Sequence, residues 1–229
     1  MRTLPSLVLA SALTAMAPSP GLAQAPAAPA LTPAQIAESE RLAASFDESA
    51  AREQQRLATF RGRPLGGVIQ RTFDVYSNYL VVASQMMPEA SYGVRPSPDV
   101  RTFGEQINHA TVSHYSFCNQ AGLPPGVARQ GAPRLAQVTA KADIVKALKE
   151  SVAYCNSVIA GATEAWLLET APAVGGSSSG LIEAARAHAL LYNNAHDAED
   201  YGTITTYLRM AGLVPPSTAI HTPAPATRR

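Results

Sequence analysis

Two residues in the C-terminal third of the chain, His196 and Asp200, have the types and the spacing to share a cation. On a helix, an imidazole and a carboxylate four positions apart lie on one face, one turn from each other, so both can approach a single ion. The same spacing also describes an ordinary surface pair, so alone it marks a candidate and no more. His188 lies two turns before His196, where it can steady a ligand or simply pack in a helix groove. Tyr192, Asn193, Asn194 and Tyr201 are close in sequence and can orient ligands, line a pocket or make plain helix contacts. His221 falls in the tail. The sequence has no HExxH, phosphate loop, Gly-rich dinucleotide turn or nucleophile elbow.

Cys118 and Cys155 have no CxxC spacing and no further sulfur to complete a zinc cage. In an oxidising compartment they are a disulfide candidate; otherwise they read as two small buried residues. The N-terminus bears on that choice. Arg2, the apolar run Leu7 to Ala17 and the small-x-small Ala23-Gln24-Ala25 have the form of a signal peptide over residues 1–25, which implies a periplasmic or secreted protein. The run is about half of the roughly 20 apolar residues a span requires, so no membrane span is expected after cleavage.

With Arg2 removed, 17 basic residues face 17 acidic ones, without a Lys/Arg run, so nucleic acid is not an expected partner. The Ala-rich, aromatic-poor composition suits helices, and near 200 residues suffice for one domain with a substantial core. Residues 26–61 read as an Ala/Pro-rich linker and a peripheral leading helix, capped by Thr32 with Pro33 in its first turn and sparsely apolar. A first bundle helix is expected over about 64–87, a second over 100–121, a third over 136–168 with a break at Gly161, and a last over 181–210. A Gly/Ser loop at 175–180, with Ser179 as a cap, precedes the last helix, and the tail over 217–229 reads as disordered. The pattern is all-α: a four-helix bundle with an extra N-terminal helix.

The stretch from Met87 through Arg95-Pro96 to His109, together with His196-Asp197-Ala198-Glu199-Asp200-Tyr201-Gly202 and Thr206 to Ser217, resembles the DinB/YfiT-like superfamily of four-helix bundles over residues 62–216. The resemblance implies a divalent metal held between helices, with His109 matching the first ligand histidine and His196 the second. The family's third ligand is usually a histidine where this sequence has Asp200. A two-histidine, one-carboxylate set still suits zinc, nickel, iron or manganese. The shorter Asp, on an unchanged backbone, would leave its oxygen roughly 1–2 Å short of a metal bond. His114, five residues from His109, is rotated off that face. Arg95, in the loop before the second helix, can meet an anionic substrate or cover the bundle end.

The family includes thiol-dependent transferases and isomerases, so the resemblance implies a metal-dependent transferase or hydrolase acting on a small molecule. Two other readings stand beside it: a non-catalytic ligand- or metal-binding bundle without the full metal triad, and a helical structural or interaction protein. A homodimer is compatible with all three.

Overall fold

A computed structural model describes residues 30–44, 62–174 and 181–219. Residues 1–25, expected to form a signal peptide, most of the linker, residues 45–61 of the leading stretch, the 175–180 loop with Ser179, and residues 220–229 with His221 lie outside the described residues.

Helix α1 (Pro33–Ala44) begins where Thr32 was expected to cap it. Gln35 N–H donates to Thr32 Oγ1 at 3.3 Å and Thr32 N–H donates to Gln35 Oε1 at 2.9 Å, a reciprocal capping box. Four long helices form the bundle: α2 (Pro64–Met86), α3 (Phe103–Gln120), α4 (Lys141–Gly161) and α6 (Arg186–Met210). Around the ring, α2 packs on α6, α6 on α3, α3 on α4, and α4 back on α2. The first and second bundle helices therefore stand diagonally, and the long 87–102 connection, with a 3₁₀ turn at Glu89–Ser91, crosses one bundle end.

Helix α3 starts three residues later than the apolar pattern suggested. Thr102 Oγ1 accepts from Glu105 N–H at 3.2 Å and Glu105 Oε2 accepts from Thr102 N–H at 2.7 Å, a second box that fixes the first turn after Thr102. Helix α4 starts at Lys141, five residues later than the expected 136; the expected break at Gly161 ends it, and Thr163 caps the short α5 (Glu164–Leu168). Two helix ends are closed by residues from elsewhere in the chain. Glu164 accepts from the Leu65 and Gly66 N–H groups at the start of α2, at 3.1 and 2.9 Å. Arg63 donates to the Ile159 carbonyl at the end of α4 at 2.7 Å.

A two-stranded antiparallel hairpin, β1 (Thr170–Val174) with β2 (Leu181–Ala185), corrects the expected start of the last helix. Leu181–Ala185 has good intrinsic helix formers, yet it pairs with β1 in the register Thr170↔Ala185, so α6 starts at Arg186. Pairing has overridden propensity there. Arg186 anchors the junction, with its guanidinium 5.0 Å from the Trp166 ring, bonded to Glu169 at 3.1 Å and to the Ala121 carbonyl at 3.1 Å. Gly122, at φ +85°, turns the chain beneath that guanidinium, which a Cβ would strike. After α6, Gly212 at φ +76° leads to the short α7 (Pro216–Ala219). Residues 217–219, expected in the tail, are helical instead. Ser217 N–H donates to Tyr201 Oη and Ser217 Oγ accepts from it, both at 2.9 Å, while Leu31 and Leu42 pack partly on the same core end.

The interior is two apolar clusters with a polar layer between them. One holds Leu80, Phe103, Ile107, Leu148, Ile204 and Leu208; the other holds Ile69, Phe73, Tyr154, Val158, Leu167 and Leu190. Along each bundle helix, buried Ser77, His114, Ser151 and Asp197 fall between members of the two clusters. A disulfide between Cys118 and Cys155, with Cα atoms 5.6 Å apart, ties α3 to α4. No helix of the described residues is long and apolar enough to cross a membrane.

Candidate metal centre

Helices α3 and α6 lie side by side, and their facing turns bring three side chains together. His196 and Asp200 project from successive turns of α6, and His109 projects from α3. His196 Nε2 stands 3.0 Å from His109 Nε2 and 3.6 Å from Asp200 Oδ2, and the ligand atoms of the three all lie within 4.8 Å of one another. Ligands around a tetrahedral zinc, with bonds of about 2.0–2.1 Å, stand about 3.3 Å apart. The observed separations bracket that value, so the shorter Asp side chain does reach the cluster.

The carboxylate is held by a neighbour on α3. Gln106, one turn before His109 on α3, donates from Nε2 to Asp200 Oδ1 at 2.7 Å. Asp200 Oδ2 is buried and has no hydrogen-bond partner among the described residues. An ionised carboxylate oxygen buried without a donor costs free energy in a folded protein; taking up a proton removes that cost, and a cation that displaces the proton would remove it as well. Ser113 Oγ, 3.1 Å from His196 Nε2, brings a hydroxyl to the same place.

Burial sets the protonation of the cluster. It is the main cause that holds His109 down to about 4, helped by the nearby Arg101 charge and by His196, and it holds His196 below the ordinary histidine range as well. Burial also pushes Asp200 up to about 7, with Asp197 reinforcing it and His114 and Arg101 opposing it. Near neutral pH both imidazoles are therefore in the neutral form that binds metals.

Other candidates from the sequence are placed elsewhere. Tyr201 stacks on Tyr79 at 4.8 Å and bonds Ser217, so it belongs to the core end and not to the cluster. Asn194 donates to the Ile69 carbonyl at 3.0 Å. His188 lies against Tyr192, ring centroids 6.1 Å apart, away from the three ligands. Exposed Tyr192 packs on Phe117 at 5.2 Å, and Phe117 in turn lies edge-on to His196 at 5.5 Å, so Tyr192 reaches the site only through that ring. Arg95 pairs with Glu105 at 3.4 Å and donates to the Pro98 carbonyl at 3.3 Å, which pins it to its own loop.

A second cluster had not been anticipated. His114 is fully buried, with Nε2 2.9 Å from Asp197 Oδ1 and Nδ1 2.8 Å from Ser151 Oγ, while Asn193 Nδ2 makes a long 3.5 Å contact to Asp197 Oδ2. Asn193 thus serves this network rather than the metal candidate. Gln106, Ser113 and Arg101 had also been missed. Gln106, His109 and Ser113 share the i, i+3, i+7 spacing of one helical face, a signal that was available in the sequence.

A bundle of this topology with a His/His/Asp cluster between its helices defines a class of helical scaffold with the potential to hold a metal. The DinB superfamily model matches residues 74–204, more than half of the 229-residue chain, and the protein belongs to that superfamily. No curated protein matches the sequence.

Proposed function

We propose that this DinB-superfamily protein binds one divalent metal ion, zinc, nickel, iron or manganese, through His109, His196 and Asp200, and that it is a metal-dependent transferase or hydrolase acting on a small molecule. The observation that carries the reading is the buried, unpartnered Asp200 Oδ2 facing two neutral imidazoles. A bound divalent ion supplies Lewis acidity, lowering the pKa of a thiol or water that completes its coordination. The chain's own residues supply the rest. Gln106 fixes the rotation of the Asp200 carboxylate so that one oxygen faces the site, and Phe117 walls one side of His196. Ser113 is placed to accept from or donate to a group beside His196. Residues 1–25, read as a signal peptide, support export of the protein to the periplasm or beyond the cell, where the Cys118–Cys155 disulfide is stable.

Calorimetry and elemental analysis on protein purified without a histidine tag test the metal reading. One ion per chain is expected for the natural protein, none for His109→Ala or His196→Ala, and tighter zinc for Asp200→His, which restores the family's usual third ligand. A folded natural protein that takes up none of the four metals while Asp200→His does so would mark a chain that has lost its ion.

A further inference from the structure

Two cavities meet at Arg101. One, of about 510 Å³, contains His109, His196 and Asp200; the other, of about 1150 Å³, runs from His109 between the 89–102 segment and the 134–139 loop. Arg101 lines both. Its Nη1 makes a long 3.5 Å contact to Gln106 Oε1, the amide whose other end holds Asp200, so Arg101 is tied to the site while most of its donors remain free. Across the larger cleft stands Arg134, on a loop that Asn108 fixes to α3 by donating to the Leu135 and Val138 carbonyls at 3.2 and 3.1 Å.

The acids that line these cavities are turned to other groups or to solvent. Glu105 pairs with Arg95, Asp99 accepts from Ser97, Glu89 interacts with Lys141, and Glu199 lies by His196 Nδ1 at 3.9 Å, largely in solvent. Among the described residues neither Arg101 nor Arg134 has a carboxylate within ion-pair distance. Arg101 is solvent-exposed, so water screens part of its repulsion from a cation in the site, and an anion lying between the two charges would turn the remainder into attraction.

We infer that the cleft binds a small molecule bearing an oxyanion, a carboxylate or a phosphate, with Arg101 at the inner end beside the ligand cluster and Arg134 as the outer contact. Arg101 is then a specificity-determining residue, because its planar donor fork matches an oxyanion in a way that a neutral isostere cannot exploit. The inference names a substrate class for the proposed metal site and so rests on that reading, yet the anion contact depends on arginines that ligate nothing.

Isothermal titration of the full-length protein, with and without zinc, against succinate, succinamide and inorganic phosphate tests it. Binding of succinate or phosphate is expected to weaken about tenfold or more in Arg101→Gln, less in Arg134→Gln, and to recover partly in Arg101→Lys. Whichever anion binds more tightly identifies the oxyanion. Succinamide binding as tightly as succinate, or affinities unchanged in Arg101→Gln, would overturn the inference. Zinc uptake is measured on the same samples. Arg101-dependent anion binding without zinc uptake leaves the anion site standing and removes the metal reading, whereas zinc uptake with no anion binding does the reverse.

Discussion

Helices α3 and α6 carry two clusters of the same residue types, and the two differ in almost every other respect. His114 and Asp197 are wholly buried, and each ring nitrogen of His114 meets a partner in Asp197 or Ser151. His109, His196 and Asp200, one turn away on the same helices, open on a pocket and leave Asp200 Oδ2 unpartnered. In the first cluster His114, Asp197 and Ser151 bond one another between two apolar layers, and Asn193 Oδ1 beside them has no hydrogen-bond partner among the described residues. Residue type therefore does not distinguish the two clusters; accessibility and a carboxylate oxygen left without a hydrogen-bond partner do.

The largest expected effect comes from breaking the sealed cluster. His114→Ala leaves Asp197 buried without its main partner, and should cost about 3–5 kcal/mol of stability in urea denaturation. His109→Ala, at the open cluster, should cost far less in the metal-free protein. If the two variants lose equal stability, the contrast fails. Reducing the Cys118–Cys155 disulfide, which closes a 37-residue separation next to the sealed cluster, should cost about 4 kcal/mol by the loop-entropy relation. Denaturation with and without reductant measures it.

The open cluster should show itself through pH. In the metal-free folded protein Asp200 keeps its proton up to about 7, whereas in the unfolded chain it loses it near 4, so its stabilising contribution is full below pH 4 and is lost as the pH rises through 7. His109, held down to about 4, acts in the opposite sense over pH 4 to 6.5. In Asp200→Asn only the histidine trend remains, so its stability relative to the natural protein should climb between pH 4 and 7, by roughly 2–4 kcal/mol. A gap that stays flat with pH would show that Asp200 titrates normally. Zinc affinity in the natural protein should rise by up to about tenfold per pH unit until 7 and then level off, since the ion displaces that one proton. The smallest effect on stability is expected at Arg95: its exposed pair with Glu105 contributes about 0–1 kcal/mol, so Arg95→Ala should unfold close to the natural midpoint.

The long helices were legible because their apolar positions recur at helical spacing and their ends carry local signals: Pro64, the break at Gly161, and the stop after Met210. The hairpin was not, because Leu181–Ala185 is a strand only through its pairing with β1, which no local propensity reports. At the site, His196 and Asp200 could be paired from their spacing alone. His109 entered only through the family resemblance, since nothing local links α3 to α6. Arg101 and the His114–Asp197 contact depend on helix packing, and a sequence read along its own length carries no term for it.

Thermal unfolding with and without zinc tests the central claim most directly, because an ion that binds only the folded chain must stabilise it. At zinc about a hundredfold above its dissociation constant, the natural protein should gain about 2.7 kcal/mol, or roughly 5–10 °C in midpoint. His109→Ala and Asp200→Asn should show no such gain, while Arg95→Ala should gain as much as the natural protein. A natural protein whose midpoint does not move with zinc, nickel, iron or manganese, or an equal gain in His109→Ala, would contradict the account.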